Sequence, residues 1–253
     1  MSVVAIIPAR YASTRFPGKP LAEILGKPMI EHVFRRVCRA STIDRVIIAT
    51  DDQRIFDQAQ QFGAEVMLTS AHHPSGTDRL AEVAALLDAE LVVNVQGDEP
   101  LIAPQMIDEA VRPLLADPDL QMGTLCTRIE DLEDYLNPNV VKLVRDQQGR
   151  ALYFSRAPIP VARDMSNPEL RRQLPNIGAL RHIGLYVYRR DFLLRYARLP
   201  QTPLETLESL EQLRALEHGI PIYAAVTDCV CQGVDTREDL LRVEKIMQQM
   251  AEL

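Results

Sequence analysis

The chain has 253 residues, of which 47% are hydrophobic and 25% are charged, and its formal net charge is −7 at pH 7. This composition is ordinary for a globular protein, and the length suits one large domain or one domain with a subdomain. The negative charge argues against a nucleic-acid-binding protein, although cations can still cluster around a small anionic substrate.

No apolar run approaches the roughly 20 residues that a transmembrane helix needs. We recognise no signal peptide and therefore expect a cytoplasmic protein without membrane contact. The cysteines, Cys38, Cys126, Cys229 and Cys231, match neither a zinc site nor a disulfide framework. We interpret them as reduced structural thiols.

The first predicted element is a buried strand over residues 3–7, which are β-branched or small and do not alternate with polar residues. A loop with three prolines and the cations Arg10, Arg15 and Lys19 follows it. Ligands of open α/β sheets bind beyond the carboxyl ends of the strands, so this loop suits a polyphosphate. A solvated basic loop is the alternative, and it explains the position and charge density less well.

Strands and helices then alternate, which predicts right-handed crossovers and a mostly parallel sheet. This pattern is typical of the α/β class. The predicted elements are a helix at 28–40, a strand at 45–50, a helix ending near 63, a strand at 65–68, a helix at 77–87 and a strand at 91–95.

Two polar segments border these elements. Ser75, Gly76 and Thr77 precede a helix, where free backbone N–H groups fit an anion or a base edge, and a plain helix cap is an equally good interpretation. Residues 96–100 follow the strand at 91–95, on the same sheet edge as the Arg10 loop. Asp98 in this segment can hold Mg²⁺ against phosphate oxygens, whereas a simple turn is the alternative.

The second half is less regular. Arg156 ends an apolar strand, His182 and Tyr186 share the polar face of an alternating strand, and Glu211 with Gln212 interrupts a leucine-rich helix. Taken singly, each residue fits an exposed or ordinary core position as well. The predicted elements are strands at 122–127, 140–144, 151–156, 181–188 and 220–226, an irregular, mobile excursion at 158–175, a helix at 204–218 with its leucines inward, and a closing helix capped by Asp235 or Thr236.

The loop at 10–19 matches neither a Walker A loop nor G-x-G-x-x-G. It resembles the signature loop of sugar nucleotidyltransferases, and its residue sequence resembles that of the 3-deoxy-manno-octulosonate cytidylyltransferases, the CMP-Kdo synthetases. Further segments that resemble this family, in order, are 75–79, 94–100, 137–139, 153–156, 181–186, 210–214 and 233–236.

The resemblance implies a mostly parallel, Rossmann-like open sheet flanked by helices, with a smaller mixed subdomain. It implies one nucleotidyltransferase domain over 1–253, with a sugar-binding and dimerisation insert at about 120–200, and a homodimer. The implied reaction is attack of the anomeric hydroxyl of 3-deoxy-D-manno-octulosonate (Kdo) on the α-phosphorus of CTP. Pyrophosphate leaves, and the product CMP-Kdo serves lipopolysaccharide assembly.

The resemblance also implies roles for individual residues. Arg10 and Lys19 would hold the triphosphate and, with Asp98 and Asp235, form the catalytic set. Asp98 and Asp235 would hold Mg²⁺. The nucleotide would be bound by Ala9, Arg10, Arg15, Lys19, Ser75, Gly76, Thr77, Arg79, Gln96 and Asp98, and the sugar acid by Gln96, Arg156, His182, Tyr186, Glu211 and Gln212.

Two alternatives remain from the sequence. An enzyme of the same fold could use sialic acid or a sugar phosphate, since Kdo and sialic acid both carry a carboxylate. A non-catalytic nucleotide-binding protein would keep the cationic loop but would not need the pair Asp98 and Asp235.

Overall fold

The computed structural model describes residues 2–12, 16–73, 75–229 and 232–251. The predictions for Arg15 and Cys231 lie outside the described residues. The chain divides into two compact units, which are Met1–Asp108 with Tyr188–Ala197 and Val230–Leu253, and Glu109–Val187 with Arg198–Cys229.

The elements are numbered here in chain order. The strands are β1 (Val3–Ala9), β2 (Glu23–Ile24), β3 (Lys27–Pro28), β4 (Arg45–Thr50), β5 (Glu65–Leu68), β6 (Leu91–Asn94), β7 (Met122–Arg128), β8 (Lys142–Arg145), β9 (Ala151–Ser155), β10 (Leu180–Arg189) and β11 (Ile222–Val226). The helices are α1 (Met29–Val37), α2 (Gln53–Gln61), α3 (Gly76–Ala85), α4 (Pro104–Ala116), α5 (Leu132–Leu136), α6 (Asn167–Ile177), α7 (Arg190–Tyr196), α8 (Pro203–Glu208), α9 (Leu213–Glu217) and α10 (Arg237–Ala251).

The first unit is built on a parallel sheet in the order β6-β1-β4-β5. The central strand β1 is almost entirely buried, as its β-branched sequence predicts. Since the strands are parallel, the loops that follow β1, β4 and β6 leave from the same sheet edge. The predicted α/β fold is confirmed, and this edge carries the cationic loop and Asp98.

Local sequence explains the helix starts in this unit. Asp52 caps α2 by accepting a hydrogen bond from the backbone N–H of Arg54, and Ser75 caps α3 by accepting one from Asp78. The interpretation of Ser75 as a helix cap is therefore correct. Thr236 accepts from the backbone N–H of Asp239 at 3.2 Å and so caps α10.

The second unit is mixed rather than parallel. Strands β7 and β11 pair in parallel, whereas β8 pairs antiparallel with both β9 and β10. Strand β10 alternates as predicted, because Ile183, Leu185 and Val187 are buried while His182 and Tyr186 are half-buried. The helices α4, α5 and α7 have no counterpart in the sequence predictions.

The prediction of an irregular excursion at 158–175 is wrong in its second half, which forms α6. Ser166 and Glu169 form a reciprocal capping box at the start of this helix. Leu170 and Leu174, one turn apart, are both buried and anchor it. The high proline content misled the prediction, because Pro168 stands in the first turn, where its missing N–H costs nothing.

The predicted helix at 204–218 is in fact two helices, α8 and α9. Ser209 has φ of 51°, a left-handed conformation that ends α8. Leu207, predicted to point inward, is 81% exposed, whereas Leu210 and Leu213 are buried as predicted. Among the residues that the structure describes, no helix is long and apolar enough to cross a membrane.

The buried ion pair between α8 and α9 generates a stability prediction. Arg214 donates from Nε to Glu205 at 2.8 Å, and both side chains are at most 9% exposed. Arg214→Met leaves a buried carboxylate without its cation, so we expect a loss of about 3–5 kcal/mol in the free energy of unfolding by urea. The matched control Arg45→Met breaks the exposed pair with Glu65 and should cost about 0–1 kcal/mol. Similar small losses for both variants would contradict this account.

Candidate functional site

The loop after β1 turns back on itself at Gly18. The backbone N–H of Gly18 donates to the carbonyl of Tyr11 at 2.9 Å, and Gly18 has φ of +70°, which favours glycine. This turn precedes Lys19, whose ammonium group donates to Asp98 Oδ2 at 2.6 Å, to the Val234 carbonyl at 2.8 Å and to Asp235 Oδ1 at 3.4 Å. Three oxygens thus converge on one cation.

Backbone contacts bring these groups together. Gly97 lies so close to β1 that a Cβ atom there would be 2.8 Å from the carbonyl oxygen of Pro8. The N–H of Val234 donates to the carbonyl of Asp98 at 2.9 Å. Asp98 and Asp235 can act together only if the C-terminal segment returns to this edge of the sheet, and the contact between Val234 and Asp98 shows that it does.

Arg10, at the start of the same loop, is held by contacts with the segment that precedes α3. Its Nη2 donates to the carbonyl of Ser75 at 2.8 Å and to that of His73 at 3.0 Å. Burial, and secondarily the nearby charge of Arg79, lower the pKa of Arg10 from its usual value. An arginine remains charged at neutral pH despite such a shift, so the site keeps this cation.

A cavity of about 220 Å³ lies between these groups. It takes side chains or backbone from the ends of β1 and β6 and from the first residue of α3. Its lining residues are Pro8, Ala9, Arg10, Ala12, Lys19, Pro20, Gly76, Gln96, Gly97 and Asp98. The structure therefore gathers six predicted nucleotide-binding residues into one cavity, which is lined by the cations of Arg10 and Lys19 and by the carboxylate of Asp98.

Arg79 differs from the other predicted nucleotide-binding residues. Its side chain is completely buried, donates to Asp51 at 2.8 Å and contacts Thr69. It is not among the residues that line the cavity. In this structure its side chain joins α3 to the loops after β4 and β5, which stabilises the support of the site.

In the second unit, His182 lies in an aromatic and hydroxyl environment. Its Nε2 is 3.0 Å from Thr124 Oγ1, and its ring centroid is 5.1 Å from that of Phe154 and 5.4 Å from that of Tyr186. The hydroxyl group of Thr124 donates its hydrogen bond to the carbonyl of Leu185 at 2.8 Å. His182 Nε2 is therefore the donor towards Thr124. Burial lowers the pKa of His182 to about 3, so the ring is neutral.

Arg156 is anchored by backbone carbonyls. Its Nε donates to Glu208 at 2.7 Å, its Nη1 to Pro138 at 3.1 Å and its Nη2 to Ser209 at 3.3 Å. A guanidinium has five N–H donors, so one donor on each terminal nitrogen is left. Such a pair suits a carboxylate, which arginine binds through two parallel hydrogen bonds.

Two polar residues stand just before α9. Gln212 is 4% exposed, which confirms that at least one of the pair Glu211 and Gln212 lies on the buried side. Among the described residues, Gln212 Nε2 has no hydrogen-bond partner although it is buried. A buried amide normally has a partner, so this nitrogen is available to a ligand. That these residues and Arg156, His182 and Tyr186 form one pocket stays a prediction.

Sequence reasoning missed Lys142. Its side chain is completely buried, and Nζ donates to the carbonyls of Val140, Arg156 and Asn137 at 2.6, 2.7 and 2.8 Å. Burial, and then the charge of Arg156, lower the pKa of Lys142. The sequence feature that could have revealed this residue is a lysine inside an otherwise apolar strand. Lys142 connects the end of β9, where Arg156 lies, to the turn at 137–139.

The fold and the cationic loop define a nucleotide-binding transferase, and a family model described as "Cytidylyltransferase" matches residues 4–222. The 3-deoxy-manno-octulosonate cytidylyltransferase of Syntrophotalea carbinolica is 59% identical over 244 residues, which cover 96% of this chain and 98% of that protein. That of Trichlorobacter lovleyi is 56% identical over 252 residues, which cover 98% of this chain and 100% of that protein. The chain belongs to the family of 3-deoxy-manno-octulosonate cytidylyltransferases.

Comparison with solved structures agrees with this family assignment. CMP:2-keto-3-deoxy-manno-octonic acid synthetase in complex with CTP has a TM-score of 0.92 and 41% identity, covering 99% of this chain and 100% of that chain. The 4-diphosphocytidyl-2C-methyl-D-erythritol synthase of Anaerococcus prevotii has a TM-score of 0.62 and 15% identity, covering 98% of this chain and 96% of that chain. The second likeness concerns the fold alone.

The environment of His182 generates a prediction on acid stability. An unfolded histidine has a pKa of about 6.5, so below that pH the unfolded state binds a proton that the folded state resists. The stabilising effect of the neutral ring is present above pH 6.5 and is lost as the pH falls towards 3. Between these two pH values, we expect His182 to lower the free energy of unfolding by about 1.4 kcal/mol for each pH unit of acidification.

Urea unfolding at several pH values between 4.5 and 8 measures this slope. His182→Gln keeps a polar side chain but cannot titrate, so its stability should fall less steeply with acid than that of the wild type. Equal slopes for the two proteins would show that the ring is protonated in the folded state.

Proposed function

We propose that this chain transfers CMP from CTP to the anomeric hydroxyl of Kdo, releasing pyrophosphate, and that the CMP-Kdo serves lipopolysaccharide assembly. The observation that carries this proposal is the convergence of Lys19, Asp98 and Asp235 beside the cavity that also holds Arg10. The named activity of relatives at 56–59% identity supports it.

The proposed chemistry is a direct displacement at phosphorus. The sugar hydroxyl oxygen forms the new bond to the α-phosphorus and loses its proton to solvent, and the bond from the α-phosphorus to the β-phosphate oxygen breaks, so that pyrophosphate carries away the electron pair. Such transfers depend on positioning and on stabilising the developing charge rather than on a protein nucleophile. Arg10 and Lys19 would bind the triphosphate oxygens and stabilise the leaving group.

The residues present fit Mg²⁺. Asp98 and Asp235 lie 2.6 and 3.4 Å from the same ammonium nitrogen, so their oxygens already share one cation. Among the described residues no group of three or more His, Cys, Asp or Glu side chains forms a metal site. Mg²⁺ commonly binds one or two carboxylates together with substrate phosphates. Asp98 and Asp235 would hold the ion, which would neutralise charge on the phosphates.

For the sugar acid, we propose that Arg156 binds the carboxylate through its two remaining N–H donors. Gln212, whose Nε2 is buried without a protein partner among the described residues, would bind a sugar hydroxyl. His182, Tyr186 and Glu211 would complete the contacts. We also propose a cytoplasmic homodimer with contacts in the region 120–200, which the family resemblance supports; light scattering would test the dimer.

Pyrophosphate release tests the reaction. We expect turnover with CTP and Kdo, and at most weak turnover when UTP, ATP or GTP replaces CTP or when sialic acid replaces Kdo. Mass spectrometry should identify CMP-Kdo as the product. Faster turnover with sialic acid than with Kdo would instead indicate the other sugar-acid enzyme, and an absence of turnover with every sugar would favour a non-catalytic nucleotide-binding protein.

The proposed metal ligands predict a change in Mg²⁺ dependence. Asp98→Asn and Asp235→Asn keep the side-chain size but remove a charge that attracts the ion. Each should raise the Mg²⁺ concentration for half-maximal activity by about tenfold, the factor that corresponds to 1.4 kcal/mol of lost binding. The exposed Asp57 on α2 supplies the control Asp57→Asn, which should behave like the wild type. Unchanged Mg²⁺ titrations in both site variants would contradict the assignment of Asp98 and Asp235 as ligands of the ion.

The proposed role of Arg156 predicts a selective loss for the sugar. Lysine cannot form the two parallel hydrogen bonds of a guanidinium, so Arg156→Lys should raise KM for Kdo about tenfold or more and leave KM for CTP nearly unchanged. Arg163, whose side chain is 92% exposed, provides the control Arg163→Lys. A raised KM for CTP with an unaltered response to Kdo would assign Arg156 to the nucleotide.

A further inference from the structure

The cationic loop has a second face, which lines another cavity in the first unit. Lys19 and Arg10 face the smaller cavity described above, whereas other loop residues face a larger cavity of about 530 Å³. The opposite wall belongs to α10. The residues that shape this larger cavity are Tyr11, Phe16 and Leu21 from the loop and Arg237, Leu240 and Leu241 from the helix.

The interior of this cavity is apolar, and its rim is cationic. Phe16 is buried at 7% exposure, whereas Leu241 is 65% exposed. The guanidinium of Arg54 lies 3.3 Å from the ring centroid of Tyr11, and that of Arg237 lies 5.7 Å from the ring centroid of Phe16. The cavity therefore combines rings, aliphatic side chains and two guanidinium groups.

The two arginines differ in how their charge is balanced. Arg54 donates from Nε and Nη2 to Asp52 at 2.9 and 2.7 Å, so its charge is largely compensated. Arg237 is exposed and forms no ion pair with any residue that the structure describes. A cation that has no ion-pair partner among the described residues thus stands at the rim of an apolar cavity, which favours an anion attached to an apolar body.

We propose that this cavity binds a small amphipathic anion, an apolar ring or chain that carries one carboxylate or phosphate. Its volume lies in the range of about 300–1,000 Å³ that is usual for small-molecule sites. The apolar part would pack against Phe16, Leu21 and Leu240, and the anionic group would pair with Arg237.

The position of the cavity couples it to the nucleotide site. Gly18, which lines the cavity, directly precedes Lys19, and α10 begins two residues after Asp235. A bound molecule would therefore hold together the two segments that carry Lys19 and Asp235. This pre-organises the cation-bearing loop, so occupancy should tighten CTP binding, and by linkage CTP should tighten the binding of the occupant.

Calorimetric titration of the full chain tests the site. The probes are 3-phenylpropionate and phenyl phosphate, with 3-phenylpropionamide as the uncharged analogue. We expect at least one anion to bind and the amide to bind about tenfold more weakly or worse, since a lost charge-assisted hydrogen bond has about that effect. Binding of only one anion identifies its anionic group as the one recognised. Equal binding of the amide, or no binding of either anion, would overturn the proposal.

Matched substitutions on α10 locate the binding. Arg237→Gln and Leu241→Gln should each weaken the anion about tenfold. The controls are Arg242→Gln and Met250→Gln, which alter exposed residues of the same helix that do not line the cavity. All four positions are exposed, and circular dichroism verifies folding. Equal effects of the site and control variants would place the anion elsewhere and refute the site.

The coupling is measured without the transfer reaction. The dissociation constant of CTP is determined with and without a saturating anion, in the absence of Kdo, and should fall about fivefold or more when the cavity is occupied. An unchanged or raised dissociation constant would refute the coupling. Since this experiment needs no sugar, its failure is distinguishable from a failure of the proposed cytidylyl transfer.

Discussion

The site in the first unit depends on the ammonium group of Lys19. It joins oxygens of Asp98, Val234 and Asp235, which lie 79, 215 and 216 positions further along the chain. Closing such long loops costs conformational entropy, so these contacts form only where the sheet already brings the segments together. Without a cation at this point, the carboxylates of Asp98 and Asp235 would repel one another at the same sheet edge.

The parallel sheet makes this convergence possible. Strands β1, β4 and β6 run in the same direction, so the loops that follow them leave from one edge. The close contact of Gly97 with Pro8 and the ion pair of the buried Arg79 with Asp51 hold those loops in place. The cations that face the cavity are thus supported in part by Arg79, whose side chain does not line it.

In the second unit, two cations are bound by backbone carbonyls. Lys142 and Arg156 donate hydrogen bonds to backbone carbonyls, and His182 stays neutral between aromatic rings and a threonine hydroxyl. Each arrangement avoids an uncompensated buried charge, which would destabilise the fold strongly. Within the described residues, the buried amide nitrogen of Gln212 is one exception, and a buried group without a partner in the protein is the kind that a ligand satisfies.

The sequence by itself determined the buried strand β1, the alternation of strands and helices, the cationic loop and the family to which the chain is similar, because each is a local pattern. It also placed Asp98 at the same end of the sheet as the cationic loop, and at least one of Glu211 and Gln212 on the buried side. Only the tertiary structure decided that Asp235 meets Lys19, that Arg79 is buried, that Ser209 divides one predicted helix into two and that Lys142 ties a turn to Arg156. These features depend on contacts between residues far apart in the chain, or on a backbone conformation that packing imposes, and no local pattern encodes them.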